Sequence, residues 1–340
     1  MGTFLLYGAT GFTGRLAAAR AVELGMRPVL AGRSAWPLSG IARSLGLEHR
    51  VFGLNDPTAI DAALAGVTLV LNAAGPFSQT AKPLVEACLR ARKHYADITG
   101  EVDVMEAIYA KHDEAVTASV MLLPGAGFDV VPSDCLARFL KERLPDAGSL
   151  VLAFRADTRL SHGTAETMIE RMNRPGMVRR RGDLVPVPLG SLLRTTPFPA
   201  LAIPWGDLAS AFRSTGIPDI ECYTAAGAAE SFGLKLSRIR PLAPLLRSVI
   251  RAMATGPDEA LRKTGRSLVW GEVASPDGKR FAARLDAPEP YALTVEAMLA
   301  VAKKVLANDL RPGAQTPATA YGSGFVMELG AVTRTELTPD

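Results

Sequence analysis

The chain is poor in the residues that most often advertise chemistry. Its 340 residues include three cysteines and four histidines, and aromatic residues make up only 6%. Cys88, Cys135 and Cys222 are odd in number and far apart, which fits buried thiols in a reducing compartment better than a disulfide framework. His49, His94, His112 and His162 share no ligand spacing with the cysteines or with one another, so no metal site is expected. None of the six tyrosines has a lysine four residues later, which removes a Tyr-x-x-x-Lys proton relay, and no G-x-S-x-G elbow occurs. Charge of one sign is lacking too. The net charge is +4, without an aromatic-interleaved basic stripe, so nucleic acid is not an expected partner. No apolar run approaches the ~20 residues of a spanning helix. The first apolar run follows Met1 with neither a basic leader nor a cleavage site, so no signal peptide is expected and the location is read as cytoplasmic.

What is present is a soluble composition, 48% hydrophobic and 21% charged, in a chain long enough for two domains. Its start is the most informative stretch: Thr3-Phe-Leu-Leu-Tyr-Gly8-Ala-Thr10-Gly11-Phe12-Thr13-Gly14. Strand-forming residues run into three glycines spaced three apart, and a helix follows from Arg15. Backbone N–H groups at such a turn face outward at the positive end of a helix dipole, which suits a pyrophosphate. Gly8 permits the sharp turn, Gly11 the approach of phosphate oxygens, and Gly14 the packing of helix on strand. The pattern predicts a dinucleotide fingerprint, in a G-x-x-G-x-x-G variant of the usual spacing.

Short apolar runs then alternate with helical periodicity about six times, as far as Val120 to Leu123, which predicts a parallel sheet covered on both faces. Beyond Asp134 the rhythm changes. A helix from Cys135 to Arg143 leads to a longer strand, Ser149 to Ala156. A hairpin is expected from Ser267 to Ala287 about Pro276-Asp277-Gly278. An amphipathic helix from Tyr291 to Ala307 has Val295, Met298, Leu299, Ala302 and Val305 inward. The expected fold is α/β: a Rossmann-type parallel sheet over residues 1–134, an inserted α+β substrate and dimerisation domain over 135–307, and a C-terminal segment, 308–340, returning to the first domain.

The cofactor can be narrowed. An NAD site wants an acid at the end of the second strand for the ribose hydroxyl. Here Pro28-Val-Leu-Ala-Gly ends in Arg33-Ser34, with no acid; Arg33 offers a charged donor fork and Ser34 a hydroxyl for a 2′-phosphate. NADP(H) is therefore expected. Asn72-Ala73-Ala74-Gly75-Pro76 ends the fourth strand, where small residues and the Asn72 amide would line the nicotinamide side.

Candidate catalytic groups are Tyr95 and Asp97, which cluster with Thr99 and Glu101 after the fifth strand, and Asp129 after the sixth. A phenol and carboxylates there suit proton donation or a polar substrate. Capping of the next helix is an equal reading for Asp97 and Thr99, and a structural role is favoured for Ser133 and Asp134. His162, in Ser161-His-Gly-Thr164, is a lesser candidate. Arg179-Arg180-Arg181 reads as a solvated face, with an acidic carrier protein or a coenzyme A phosphate as its alternative.

Several of these motifs carry a family likeness. Gly8-Ala-Thr-Gly-Phe-Thr-Gly14, Ala31-Gly-Arg33, Gly75-Pro-Phe77, His94-Tyr-Ala-Asp97-Ile-Thr-Gly-Glu101 and Gly127-Phe-Asp129-Val-Val-Pro-Ser-Asp134 follow in the order seen in saccharopine dehydrogenase-like oxidoreductases. The chain most resembles the bacterial subgroup that includes the trans-acting enoyl reductases. The resemblance implies an NADP-binding Rossmann domain, a catalytic α+β domain and reduction of a C=C or C=N bond. The substrate would be a small molecule or an acyl thioester, with a homodimer or an acidic carrier protein as partners. The alternative is an NADP-binding sensor or scaffold without turnover.

Overall fold

The structure, a computed structural model, describes residues 2–171, 175–188, 191–226 and 243–337. The chain divides into two compact units: residues 1–129 with 293–321, and 130–292 with 322–340.

The first unit is the expected strand–helix alternation. Its strands are β1 (Phe4–Tyr7), β2 (Val29–Gly32), β3 (His49–Val51), β4 (Leu69–Asn72), β5 (His94–Asp97) and β6 (Met121–Leu123). Between them run α1 (Phe12–Glu23), α2 (Ala35–Leu45), α3 (Pro57–Ala63), α4 (Phe77–Ala91), α5 (Val102–Tyr109) and α6 (His112–Thr117). The strand order is β6-β5-β4-β1-β2-β3, and Gly313–Ala314 adds a seventh strand beside β6. Every pairing in this sheet is parallel. β1, β2 and β4 are buried along their whole length and apolar but for Asn72 at the end of β4, as strands covered on both faces must be. α1 buries only small residues, Gly14, Ala17, Ala18 and Ala21, so it lies close to the strands. α3 starts where Asp56 accepts from the Thr58 and Ala59 N–H groups, with Pro57 at its first position. The strand order reverses between β1 and β4, the switch point at which ligands bind in such sheets.

The second unit is built on a nine-stranded mixed sheet. Its centre is Ser149–Ala156, parallel to Asp219–Ala225 on one side and antiparallel to Arg266–Ala274 on the other. The expected hairpin forms, with Val269 opposite Leu285 and Gly278 at φ +89° in its turn. The helix Val131–Arg143 packs on one face of this sheet. A Cβ on Gly271 would stand 2.7 Å from a Leu140 methyl and 3.3 Å from a Leu136 methyl, so the helix packs closely over this central position. On the opposite face Val151, Ala153, Phe198, Tyr223 and Trp270 form an apolar cluster.

The unit boundaries fall at 129/130, 292/293 and 321/322, rather than at 134/135 and 307/308. The helix expected from Tyr291 spans Pro290–Leu306, and its five predicted inward residues are buried. From Leu293 onward it counts with the first unit. Residues 308–340 divide: Gly313–Ala314 joins the parallel sheet, while Thr333–Leu337 pairs antiparallel with Arg280–Pro288. Two strands with different partners replace the single returning segment.

Candidate functional site

Tyr7, Asn72 and Asp97 are register partners at the carboxyl ends of β1, β4 and β5, and the candidate site is assembled at and beyond them.

The β1–α1 turn is made of backbone. Gly8 has φ +86°, and a Cβ there would lie 2.8 Å from Ala74; a Cβ on Gly14 would lie 2.2 Å from the Gly8 carbonyl oxygen. The Gly8 and Ala9 N–H groups donate to the Ala31 oxygen, tying the turn to β2, and Gly11 N–H donates back to Gly8. Gly11 is exposed, with the Gly8 oxygen at 3.2 Å as the one atom a Cβ would meet. Thr10, Phe12 and Thr13 beside it are half-buried. No side chain caps α1 at Gly11 and its first turn carries no acid, so the dipole faces outward uncompensated by a carboxylate. These features fit a dinucleotide pyrophosphate: the cradle exists because three side chains are missing.

Arg33 and Ser34 are exposed at the β2–α2 turn. Burial pushes the Tyr7 phenol up from its ordinary range, and the Arg33 guanidinium pulls it back, which locates that charge beside the end of β1. Ser34 is the N-cap of α2 but its side chain makes no capping bond.

The β4–α4 turn rests on a buried polar network. Asn72 is fully buried; its amide donates to Thr80 Oγ1 (3.1 Å) and to the Tyr95 hydroxyl (3.2 Å), and its oxygen accepts from Ala74 N–H (3.0 Å). Ala73 and Ala74 are half-buried, Gly75 is exposed and Pro76 half-buried, so this stretch of the turn reaches the surface while Asn72 holds it from below.

Tyr95 and Asp97 are both 0% exposed. The Tyr95 hydroxyl donates to Asp97 Oδ2 at 2.8 Å, while Asp97 Oδ1 accepts from the N–H groups of Thr99 and Gly125, both at 3.0 Å. Burial raises the Asp97 carboxyl to about 6 despite these three bonds, and it pushes the Tyr95 phenol well above its ordinary value. Asp97 and Thr99 do not cap α5. They form tight local turns instead, since Thr99 Oγ1 accepts from Glu101 N–H.

Asp129 is the partly accessible member of the three candidate catalytic residues. It lies against the Thr99–Gly100 turn, where a Cβ on Gly100 would stand 2.8 Å from Asp129 Oδ2. Its loop is held by Thr294, whose hydroxyl accepts from Phe128 N–H at 3.0 Å.

Two residues of this frame carry roles that sequence reasoning missed. Glu101 is buried and caps α4, accepting from Phe77 N–H (2.9 Å) and Ser78 N–H (3.0 Å). Thr294 reaches the β6 loop from a helix far along the chain. All three bonds are long-range, and none has a local spacing that could reveal it. In the second unit, His162 is largely exposed beside Glu166, which is paired with Arg251. The solvated reading of the triple-arginine run holds for Arg181, which is exposed, and is corrected for Arg179. Arg179 is buried over the Phe212 ring and donates to the Leu208 and Gly182 carbonyls, and Arg180 pairs with Glu221. A cleft of about 240 Å³ in this unit has its arginines engaged likewise, with Arg194 near Glu221 and Arg280 near Glu272. Among the described residues no helix is long and apolar enough to cross a membrane.

A family model described as the saccharopine dehydrogenase NADP binding domain matches residues 4–123, the whole stretch from β1 to β6. Over these residues the chain is similar to the nucleotide-binding domain of saccharopine dehydrogenases. The matched stretch contains the glycine turn, the β2 end and the Asn72, Tyr95, Asp97 and Glu101 side chains. A trans-acting enoyl reductase of Mycobacterium bovis is 33% identical over 183 residues, covering 49% of this chain and 44% of that protein. The match therefore spans less than half the length of that relative. A Mycobacterium tuberculosis protein provisionally designated a trans-acting enoyl reductase is 28% identical over 400 aligned positions, covering 96% of this chain and 95% of its own. Among solved structures, apo saccharopine dehydrogenase (L-Glu forming) from Saccharomyces cerevisiae matches with a TM-score of 0.69 and 12% identity over 99% of this chain and 100% of that one, a likeness of fold.

Proposed function

We propose that this chain is an NADP(H)-dependent oxidoreductase that reduces a C=C or C=N bond of a small organic or acyl substrate. The observation that carries the cofactor is Arg33: an exposed guanidinium, in place of an acid, at the end of β2 beside the glycine turn. In this reading the pyrophosphate sits on the Gly8–Gly14 turn at the N-terminus of α1, where Gly8, Gly11 and Gly14 leave the room and Thr10, Phe12 and Thr13 flank it. Arg33 and Ser34 take the 2′-phosphate, and Ala73, Ala74, Gly75 and Pro76 line the nicotinamide side above Asn72. The nicotinamide, when bound, supplies the hydride. The protein's part is placement and a proton. Asp129 is the candidate donor because it combines a carboxyl with access; Tyr95 and Asp97, fully buried, are positioning residues that hold the β4–α4 turn and the β6 loop.

An acyl thioester on a separate acidic carrier protein is the substrate form we favour, supported by the trans-acting designation of the mycobacterial relatives. A homodimer is the proposed assembly, to be checked by light scattering.

The test is a pair of titrations and a turnover panel. Arg33→Ala is expected to weaken NADPH binding about tenfold or more while changing NADH binding little, as loss of a charge-assisted phosphate contact should. Equal losses for both nucleotides would remove the 2′-phosphate assignment. The parent is expected to oxidise NADPH with at least one member of an enoyl-thioester, imine and keto-acid panel. Tight NADPH binding with no turnover would favour the second reading, a nucleotide-binding sensor or scaffold, for which the burial of Tyr95 and Asp97 and the missing tyrosine–lysine relay speak.

A further inference from the structure

Trp36 is the second residue of α2 and is 88% exposed, the most exposed large apolar side chain among the described residues. The other two tryptophans are packed: Trp205 lies 4.7 Å from the Phe154 ring, and Trp270 is 8% exposed. Side chains in a helix lean toward its N-terminus and cover the turn before their own Cα. In the first turn of α2 that direction is toward the β2–α2 turn that carries Arg33 and Ser34. Beneath this stretch lies an apolar floor. Tyr7 and Phe52 pair with ring centroids 5.2 Å apart, and Phe52 N–H donates to the Gly32 oxygen at 3.1 Å.

The carboxyl ends of β1, β2 and β3 therefore present three unlike surfaces together: a closed aromatic floor, a permanent cation and a flat indole open to water. A lone aromatic on a surface needs no explanation. One set beside a phosphate-binding cation is different, because stacking on a base gains free energy and a bare indole in water gains none. We propose that Trp36 is the stacking plate for the adenine of an adenosine 2′-phosphate, completing with Arg33 a subsite that reads the nucleotide half of the cofactor. Arg33 reads the phosphate and Trp36 reads the base. The assignment rests on the NADP reading above.

The probe that isolates this subsite is 2′,5′-ADP, which carries adenine and the 2′-phosphate without nicotinamide. Binding to the full chain is followed by calorimetry and by tryptophan fluorescence. In the parent, 2′,5′-ADP is expected to quench the emission. In Trp36→Phe, which keeps a π-face but removes the exposed fluorophore, the two remaining tryptophans should show no quench while affinity falls by no more than about threefold. In Trp36→Ala the affinity for 2′,5′-ADP is expected to fall about tenfold, with the thermal unfolding temperature unchanged. If Trp36→Ala binds 2′,5′-ADP within about twofold of the parent while both bind NADPH, the stacking assignment is overturned and the cofactor reading stands. If the parent binds neither NADPH nor 2′,5′-ADP, both fall together. Persistence of the quench in Trp36→Phe also overturns the assignment, since the signal then comes from a packed tryptophan.

Discussion

The β1–α1 turn and the β4–β5 floor end neighbouring strands of one sheet, yet they are built in opposite ways. The turn holds its shape through glycines, with N–H groups of Gly8, Ala9 and Gly11 bonded to carbonyls, and at Gly8 and Gly14 there is no room for a side chain. The floor is dense with side chains: Asn72, Tyr95, Asp97 and Glu101 are nearly or wholly inaccessible, and each bonds within the unit. The region with the least chemistry in its sequence is the one open to a ligand. The region with the most chemistry in its sequence is largely frame. A cluster of titratable residues beside a binding turn is thus poor evidence for catalysis until its exposure is known.

Substitutions can break this contrast, and the largest effect should come from the turn. Gly14→Ala places a methyl 2.2 Å from the Gly8 oxygen, with no flexible side chain to yield. A loss of about 3 kcal/mol in denaturant unfolding is expected, with NADPH binding abolished. Gly11→Ala is the control within the same turn. Its nearest atom is 3.2 Å away, so stability should change by about 1 kcal/mol or less while NADPH affinity falls at least about tenfold. Unchanged affinity in that variant would move the pyrophosphate off this turn.

Next comes the floor. The Asp97 carboxyl is raised to about 6 from 3.8, chiefly by burial, so the folded state holds its proton more tightly than the unfolded chain. Its contribution to stability is complete below pH 4 and is lost as pH rises through 6. Asp97→Asn cannot titrate, so wild type should lose up to about 3 kcal/mol relative to the variant between pH 4 and pH 7. Unfolding curves at several pH values test this, and a pH-independent difference would mean that the carboxyl ionises normally. A smaller change is expected from Glu101→Gln, which weakens the cap on α4: about 1 kcal/mol of stability, with NADPH affinity retained. A selective loss of affinity would transfer Glu101 from frame to site. Last is His162→Ala, at a largely exposed position, where stability should stay within about 0.5 kcal/mol and turnover should be unaffected.

The same contrast explains how much could be read from the residues. The first sheet was legible because parallel strands buried on both faces write themselves as short apolar runs, as Phe4–Tyr7 and Leu69–Asn72 do. The glycine turn was legible because its constraint is local, three positions in seven residues. The hairpin about Gly278 was legible for the same reason. Glu101 and Thr294 were not, because the N–H groups they satisfy are distant in sequence. Arg179 misled because charge predicts exposure, and here carbonyl partners and the Phe212 ring make burial tolerable. The division of residues 308–340 between two sheets was hidden as well, since a strand's pattern says which face is buried and not which sheet it joins.

The first unit is assembled from two stretches of chain with all of residues 130–292 between them, and that spacing has a consequence for biosynthesis. A ribosome delivers β1 to β6 long before Gly313 and Gln315, whose N–H groups bond to the carbonyls of Val120 and Leu122. Until they arrive, the outer edge of β6 is an open strand and the nucleotide-binding unit is incomplete. Closing it needs contacts of very long sequence separation, which fold slowly and leave an adhesive edge exposed meanwhile. The final step of its folding therefore waits until Gly313 and Gln315 have emerged. Truncation before residue 313 should yield a chain that keeps the whole glycine turn and aggregates nonetheless.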